Sequence, residues 1–138
     1  MKYVLDTNVL LDFFINRDED RHRDCDSLMA AVKVGEIKVV ILSVVVAEVA
    51  WVMGSFYKID RKDISRTLNA LMQLKGVTVT EYYGWNGVFG DYSRTKVKFV
   101  DAMIANIKQV GGKKWKVVSY DKEFDKLGVT RVEPVDII

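Results

Sequence analysis

The chain has 138 residues, 49% hydrophobic and 29% charged, with 9 Gly and 1 Pro. That is the composition of a globular unit large enough to bury a continuous core, and it excludes disordered, collagen-like and repetitive classes. A net charge of +2, from 21 Lys and Arg against 19 Asp and Glu, neither requires nor excludes a polyanionic partner.

The start, "MKYVLDTN", carries one lysine and meets Asp6 before an apolar run can form, so no signal peptide is expected. "KYVLD" is a short apolar run ending in Asp, consistent with a buried strand. "NVLLDFFIN" reads as a short helix with Asn8 as its N-cap. "RDEDRHRD" reads as a polar connector, and "CDSLMAAVKVG" as a helix closed by Gly35. Cys25 is the sole cysteine; no internal disulfide can form, and a reducing compartment is the natural setting.

The longest apolar stretch, "VVILSVVVAEVAWVMG" (residues 39–54), is shorter than the ~20 residues of a membrane span and contains Glu48. It reads as the end of a second strand, "IKVVIL", running into a helix over about 44–58. The protein is therefore expected to be soluble and cytoplasmic, with no membrane contact. "DRKDISRTLNALMQLKG" predicts a helix capped by Asp60 and stopped by Gly76, and "VTVT" a third strand. "YYGWNGVFGDYSRTK" (residues 82–96) is rich in glycine and aromatics and predicts no element. "FVDAMIANIKQVGG" predicts one helix, "KWKVVSY" a strand, "DKEFDKLG" a short helix and "VTRVEPV" a last short strand. Strands alternate with helices, and several strands are continuously apolar. This pattern predicts a single α/β domain over residues 1–138: a three-layer α/β/α sandwich around a central parallel sheet.

In such a sheet ligands bind outside the carboxyl ends of the strands. Asp6 ends the first strand there, and Asp121 ends "KWKVVSY" in the same way. Each could equally be a helix cap. Glu48 has Val44, Val45, Trp51 and Val52 at helical spacing, which places a carboxylate on an apolar stripe, costly unless paired or bound to a metal. Asp101 repeats the anomaly beside Ile104 and Ala105. Four acids converging on one rim with no arginine nearby have the makings of a cation site. His22 and Cys25 stand alone in a charged stretch, so a His/Cys zinc site lacks ligands and a His-based triad lacks partners. His22 reads as solvated and Cys25 as helix packing. An all-oxygen site suits Mg²⁺ or Mn²⁺, ions that bridge to phosphate oxygens, polarise the phosphoryl group and lower the pKa of a water. The chemistry points to metal-dependent phosphodiester hydrolysis.

"YVLDTNVLLDFF", "SVVVAEVAWV", "FVDAMIANI" and "VVSYDKEFDKLG" resemble, in order and spacing, the signature segments of the PIN-domain ribonucleases. They look most like the VapC-like toxins of prokaryotic toxin–antitoxin pairs. The resemblance covers essentially the whole chain. It implies the three-layer fold and Mg²⁺- or Mn²⁺-dependent cleavage of single-stranded RNA. It carries the family's catalytic, metal-binding acids onto Asp6, Glu48, Asp101 and Asp121. Asn8 and Ser119 match positions beside the first and last acids, where they would orient ligands by hydrogen bonding. It also suggests an antitoxin protein and a homodimer, with "FFIN" and the aromatic-rich segment as apolar surface to be covered. Asp125 is a further acid expected to face solvent.

Arg94, Lys96 and Lys98 precede the Asp101 helix and are the candidate RNA contacts, together with Lys122 beside the rim. Lys113, Lys114 and Lys116, with Trp115 among them, should lie at the far end of their strand from Asp121 and read as solvated. A dehalogenase-type hydrolase would need a second Asp where Asn8 stands. A phospho-receiver does not fit acids within helices. The alternative from another class is a PIN-like scaffold without catalysis that holds RNA or a protein.

Overall fold

The computed structural model describes residues 1–80 and 82–138. Its elements run β1 (Lys2–Leu5), α1 (Thr7–Phe14), α2 (Glu19–Val34), β2 (Lys38–Leu42), α3 (Ser43–Ser55) and α4 (Arg61–Met72). They continue through β3 (Val77–Thr80), α5 (Trp85–Arg94), α6 (Phe99–Ala105), α7 (Lys108–Gly111), β4 (Trp115–Val118) and β5 (Arg131–Val132). Two 3-10 helices, Lys122–Leu127 and Pro134–Ile137, flank β5.

The strands form one parallel sheet in the order β3-β2-β1-β4-β5, with helices packed around it. The central strands are apolar without alternation because both their faces are covered. Val4, Leu5, Val39, Val40, Ile41, Leu42, Val117 and Val118 are all buried. From β1 the chain moves outward through β2 to β3, then returns to lay β4 on the other side of β1. The direction of the connections therefore reverses between β1 and β4, and the crevice beyond their carboxyl ends is where open parallel sheets take ligands. Leu5 aligns with Val118, and the Asp6 amide donates to the Val118 carbonyl at 3.0 Å. Asp6 and Ser119 thus leave the sheet side by side. At the opposite end Lys2 lies over the Trp115 ring, 5.7 Å from its centroid, so the Lys113–Lys116 cluster is remote from the crevice as expected.

Several boundaries differ from the sequence expectation. Asp6, not Asn8, caps α1, accepting from the Thr7 amide at 2.8 Å. Most of the expected polar connector is helical. Asp18 caps α2 by accepting from the Arg21 amide, and Glu19 and Asp20 place negative charge at its N-terminal end. Helix α2 does close at Gly35, which is left-handed with φ +83°. Helix α3 stops at Ser55, three residues short of Lys58. Helix α4 ends at Met72 rather than running to Gly76. Gly76 instead allows a close approach: its amide donates to the Val32 carbonyl at 2.9 Å, and a Cβ there would strike the Val32 and Ile37 carbonyls. The expected helix over residues 99–112 is broken into α6 and α7 at Asn106 and Ile107.

The segment 82–96, for which no element was expected, carries α5. It packs on α6 through a satellite core of Val88, Val97, Ala102 and Met103. The Asn106 side chain ties the two together, donating to Asp91 Oδ2 and the Ala102 carbonyl, both at 2.8 Å. No described helix is long and apolar enough to cross a membrane.

Candidate active site

The crevice begins with a polar knot joining β1 to β4. Ser119, fully buried, donates from Oγ to Asp6 Oδ2 at 2.6 Å. Asn8, in the first turn of α1, donates from Nδ2 to Asp6 Oδ2 at 3.1 Å and to Ser119 Oγ at 3.2 Å. The amide of Asp121 donates to Ser119 Oγ at 2.9 Å, so the same hydroxyl fixes the backbone of a second acid. Asp121 itself caps the following 3-10 helix, with Oδ1 accepting from the Glu123 amide at 2.9 Å. Both acids are therefore helix caps and cleft acids at once, one oxygen serving the backbone in each.

Two further carboxylates reach the same place from helices. Glu48 extends from α3 and is half-buried. The buried stripe of α3 is Val45, Val49 and Met53, whereas Trp51 is 69% exposed. Glu48 is consequently not on the core-facing side, as its apolar neighbours suggested, but beside it, facing the crevice. Asp101 lies in the first turn of α6 and is only 4% exposed. Asp6, Glu48, Asp101 and Asp121 together line a cleft of about 350 Å³. A larger hollow of about 570 Å³ between α3 and α4, walled by Trp51, Ile59, Arg61 and Ile64, has no acid in its lining among the described residues.

The electrostatics of the cleft are strained in one direction. Burial above all, with repulsion from Asp6 and Asp121 and against the partial opposition of Lys98, holds the Asp101 carboxyl up at about 7. Burial likewise pushes Asp6 up to about 6 against the stabilising bonds from Ser119 and Thr7, with Glu48 and Asp121 adding repulsion. Asp101 Oδ2 is buried with no hydrogen-bond partner among the described residues. A buried carboxylate oxygen left in this state is costly unless something positive meets it. Among the described residues no three acids, histidines or cysteines stand close enough to enclose an ion by direct ligation. The open, all-oxygen donor set fits a small hard cation that keeps several waters and takes one or two carboxylates directly.

A family model for the PIN domain matches residues 3–129. The chain belongs to the PIN domain family. Members of this family are usually nucleases and generally use divalent metals. No curated protein matches the sequence. Among solved structures the chain is similar to VapC20 of Mycobacterium tuberculosis, a toxin that cleaves the sarcin–ricin loop. The identity is 17% and the TM-score 0.70, over 94% of this chain and 98% of that one. VapBC2 of Rickettsia felis, bound to a DNA fragment from its promoter, matches at 14% identity and TM-score 0.67, over 96% and 98%. PAE2754 of Pyrobaculum aerophilum matches at 16% and 0.66, over 99% and 92%. At these identities the likeness is one of fold.

Of the four expected RNA contacts, Lys98 lines the cleft of the PIN domain; Arg94, Lys96 and Lys122 are exposed and are not part of its lining. Asp125 is exposed as expected and pairs with Arg131 at 3.0 Å. Cys25 is buried in the packing of α2, as expected. His22 is not simply solvated: it is half-buried, with Nδ1 2.8 Å from the Asp12 carbonyl oxygen. The expectation of no arginine near the acids also fails, because Arg17 lines the cleft and pairs with Asp12 at 3.0 Å. Asp12 is 1% exposed, and its placement in "LLDFF" gave the only sequence signal, an acid inside an apolar run.

Proposed function

We propose that this PIN domain is an Mg²⁺- or Mn²⁺-dependent endoribonuclease that hydrolyses phosphodiester bonds of single-stranded RNA. The observation that carries the reading is the meeting of Asp6, Glu48, Asp101 and Asp121 in one cleft, with a buried, unpartnered oxygen on Asp101. In this reading the four acids are the catalytic, metal-holding groups. Asp6 and Asp101, whose carboxyls burial holds at raised pKa values, would have to lose their protons to hold a cation. Asn8 and Ser119 hold the Asp6 carboxylate in one orientation. Glu48 and Asp121, more open to solvent, would complete the set of carboxylates that holds the ion. When bound, the cation polarises the phosphoryl oxygens and lowers the pKa of the attacking water. Lys98 beside Asp101 offsets the repulsion between an acidic cleft and a phosphate chain.

The fold shared with VapC20 supports a finer reading, in which the protein acts in the cytoplasm as the toxin of a VapC-type pair held by an antitoxin. The deciding experiment strips the purified protein of metal and adds a labelled single-stranded oligoribonucleotide, with and without Mn²⁺. Cleavage that requires Mn²⁺ and is abolished by Asp6→Asn is expected. Binding without cleavage under every divalent cation would instead identify a non-catalytic scaffold.

A further inference from the structure

Four carboxylates lining a cleft repel a polyanion, so the cations that share its walls decide whether a phosphate chain can settle there. Among the described residues, two such cations line this cleft, Lys98 and Arg17. Lys98 lies close enough to Asp101 to lower its pKa. Arg17 stands in a different part of the wall, against α1. Its Nε donates to Asp12 Oδ1 at 3.0 Å, its Nη2 to the Asn8 carbonyl at 3.3 Å, and its Nη1 reaches the Tyr57 hydroxyl at 3.5 Å. The guanidinium is held from three sides, yet the side chain is 29% exposed, while that of Asp12 is 2% exposed. A guanidinium carries five N–H groups in a rigid fork, so among the described residues two donors remain without a partner, one on each terminal nitrogen. Those are the donors a phosphate accepts in pairs.

We propose that Arg17 is a phosphate-binding residue of the cleft, gripping an RNA backbone phosphate beside the one being cleaved, with buried Asp12 as the positioning residue that fixes its fork. This rests on the endoribonuclease reading and names a substrate contact for the same site. Asp12 is poorly explained otherwise. It is a fully buried acid whose Oδ2 finds no partner among the described residues, and it is ion-paired to a side chain that lines the same cleft as the four acids. The Asn8 carbonyl bond places the guanidinium on the residue next but one to Asp6.

The test measures kcat and KM for a single-stranded oligoribonucleotide in Mn²⁺ across KCl concentrations, using Arg17→Gln, Asp12→Asn and the double variant. Arg17→Gln is expected to raise KM about tenfold while kcat moves far less, since a charge-assisted contact outside the reacting atoms is lost. The slope of log(1/KM) against log[KCl] should shrink by about 0.7, the share of one phosphate contact on a single strand. Asp12→Asn keeps the guanidinium, so the salt slope stays while KM rises modestly. Arg17→Gln also leaves Asp12 buried without its partner and lowers the melting temperature. The double variant, with both charges gone, should recover that temperature but not the lost affinity. A double variant with wild-type KM and salt slope would overturn the proposal and leave Arg17 a mere partner for Asp12. If the wild-type protein fails to cleave, the endoribonuclease reading falls separately. The same variants are then compared for oligoribonucleotide binding by fluorescence polarisation, where equal affinity in Arg17→Gln and wild type overturns the Arg17 assignment.

Discussion

Ser119 Oγ donates to Asp6 Oδ2 at 2.6 Å across 113 residues of chain. That one hydroxyl also accepts from the Asp121 amide and the Asn8 side chain. Ser119→Ala removes the donor, takes an acceptor from the half-buried Asp121 amide and leaves Asn8 Nδ2 only its bond to Asp6. A loss of about 1–3 kcal/mol in stability is expected by chemical denaturation. Mn²⁺ affinity should weaken roughly 10–100-fold by titration calorimetry, the usual cost of losing a group that orients a metal ligand. Unchanged Mn²⁺ affinity in a folded variant would show that the Asp6 orientation does not matter.

Asp101→Asn separates a cleft acid from a structural ion-pair partner. Asn keeps the shape and removes one of four mutually repelling charges. The metal-free variant should melt at the wild-type temperature or above, gain less from Mn²⁺ than wild type, and lose most RNA cleavage. Were Asp101 instead a paired structural acid, its loss would cost about 3–5 kcal/mol. Thermal melts with and without Mn²⁺, beside a cleavage assay, distinguish the two. A destabilised variant that still cleaves RNA would end the assignment.

The raised carboxyls set a pH window. Asp6 and Asp101 hold protons more tightly folded than unfolded, at about 6 and about 7 against an ordinary 3.8. Their contribution to the metal-free fold is therefore complete below pH 3.8 and is lost as pH rises through about 6 and then about 7. Because a cation must displace those protons, Mn²⁺ affinity and cleavage rise over the same interval. Melts in EDTA from pH 5 to pH 8 should fall relative to Asp101→Asn by an amount on the order of a few kcal/mol. A flat difference between the two proteins would contradict the shift at Asp101.

The rings of α5 and the start of α6 form a surface chain: Tyr83 to Trp85 at 5.4 Å, Trp85 to Phe89 at 5.9 Å, Phe89 to Phe99 at 6.2 Å, and Phe99 to Tyr92 at 5.2 Å. Trp85, Phe89 and Tyr92 are each about half exposed. A contiguous aromatic surface of this kind suits a second copy of the chain. Sedimentation equilibrium is expected to give a dimer for wild type and a shift of at least tenfold toward monomer for Phe89→Glu. A wild-type protein that stays monomeric at high concentration removes the homodimer.

The sheet was legible because strands buried on both faces are written as unbroken apolar runs, as in "YVL" and "VVIL". Asp6 was legible because it follows such a run directly, and Asp121 because it closes "KWKVVSY", three residues past the end of β4. Glu48 was found by an argument with the wrong direction. Helix α3 is apolar nearly all round, so spacing could not say which side met the core, and Trp51 proved 69% exposed. Asp12 and Arg17 were missed because their pairing spans the end of a helix, a distance no local periodicity encodes. The segment 82–96 defied reading because its glycines and aromatics have weak helix preference. Its helix is held by packing on Val97, Ala102 and Met103 and by the Asn106 bonds.

The strand order also governs when the cleft comes into being during synthesis. Strand β4, drawn from residues 115–118, lies inside the sheet between β1 and β5, although β1 is made before any other strand of this sheet. Until β4 has left the ribosome, one edge of β1 stays unpaired and Asp6 lacks its partner from Ser119. Parallel pairings across so much chain are slow, because the entropy of closing the loop is lost before any contact compensates for it. A nascent chain carrying Asp6, Glu48 and Asp101 thus has three of the acids and no assembled centre. The last residues needed, Ser119 and Asp121, lie just past β4, so the pocket is assembled only when that strand has paired with β1.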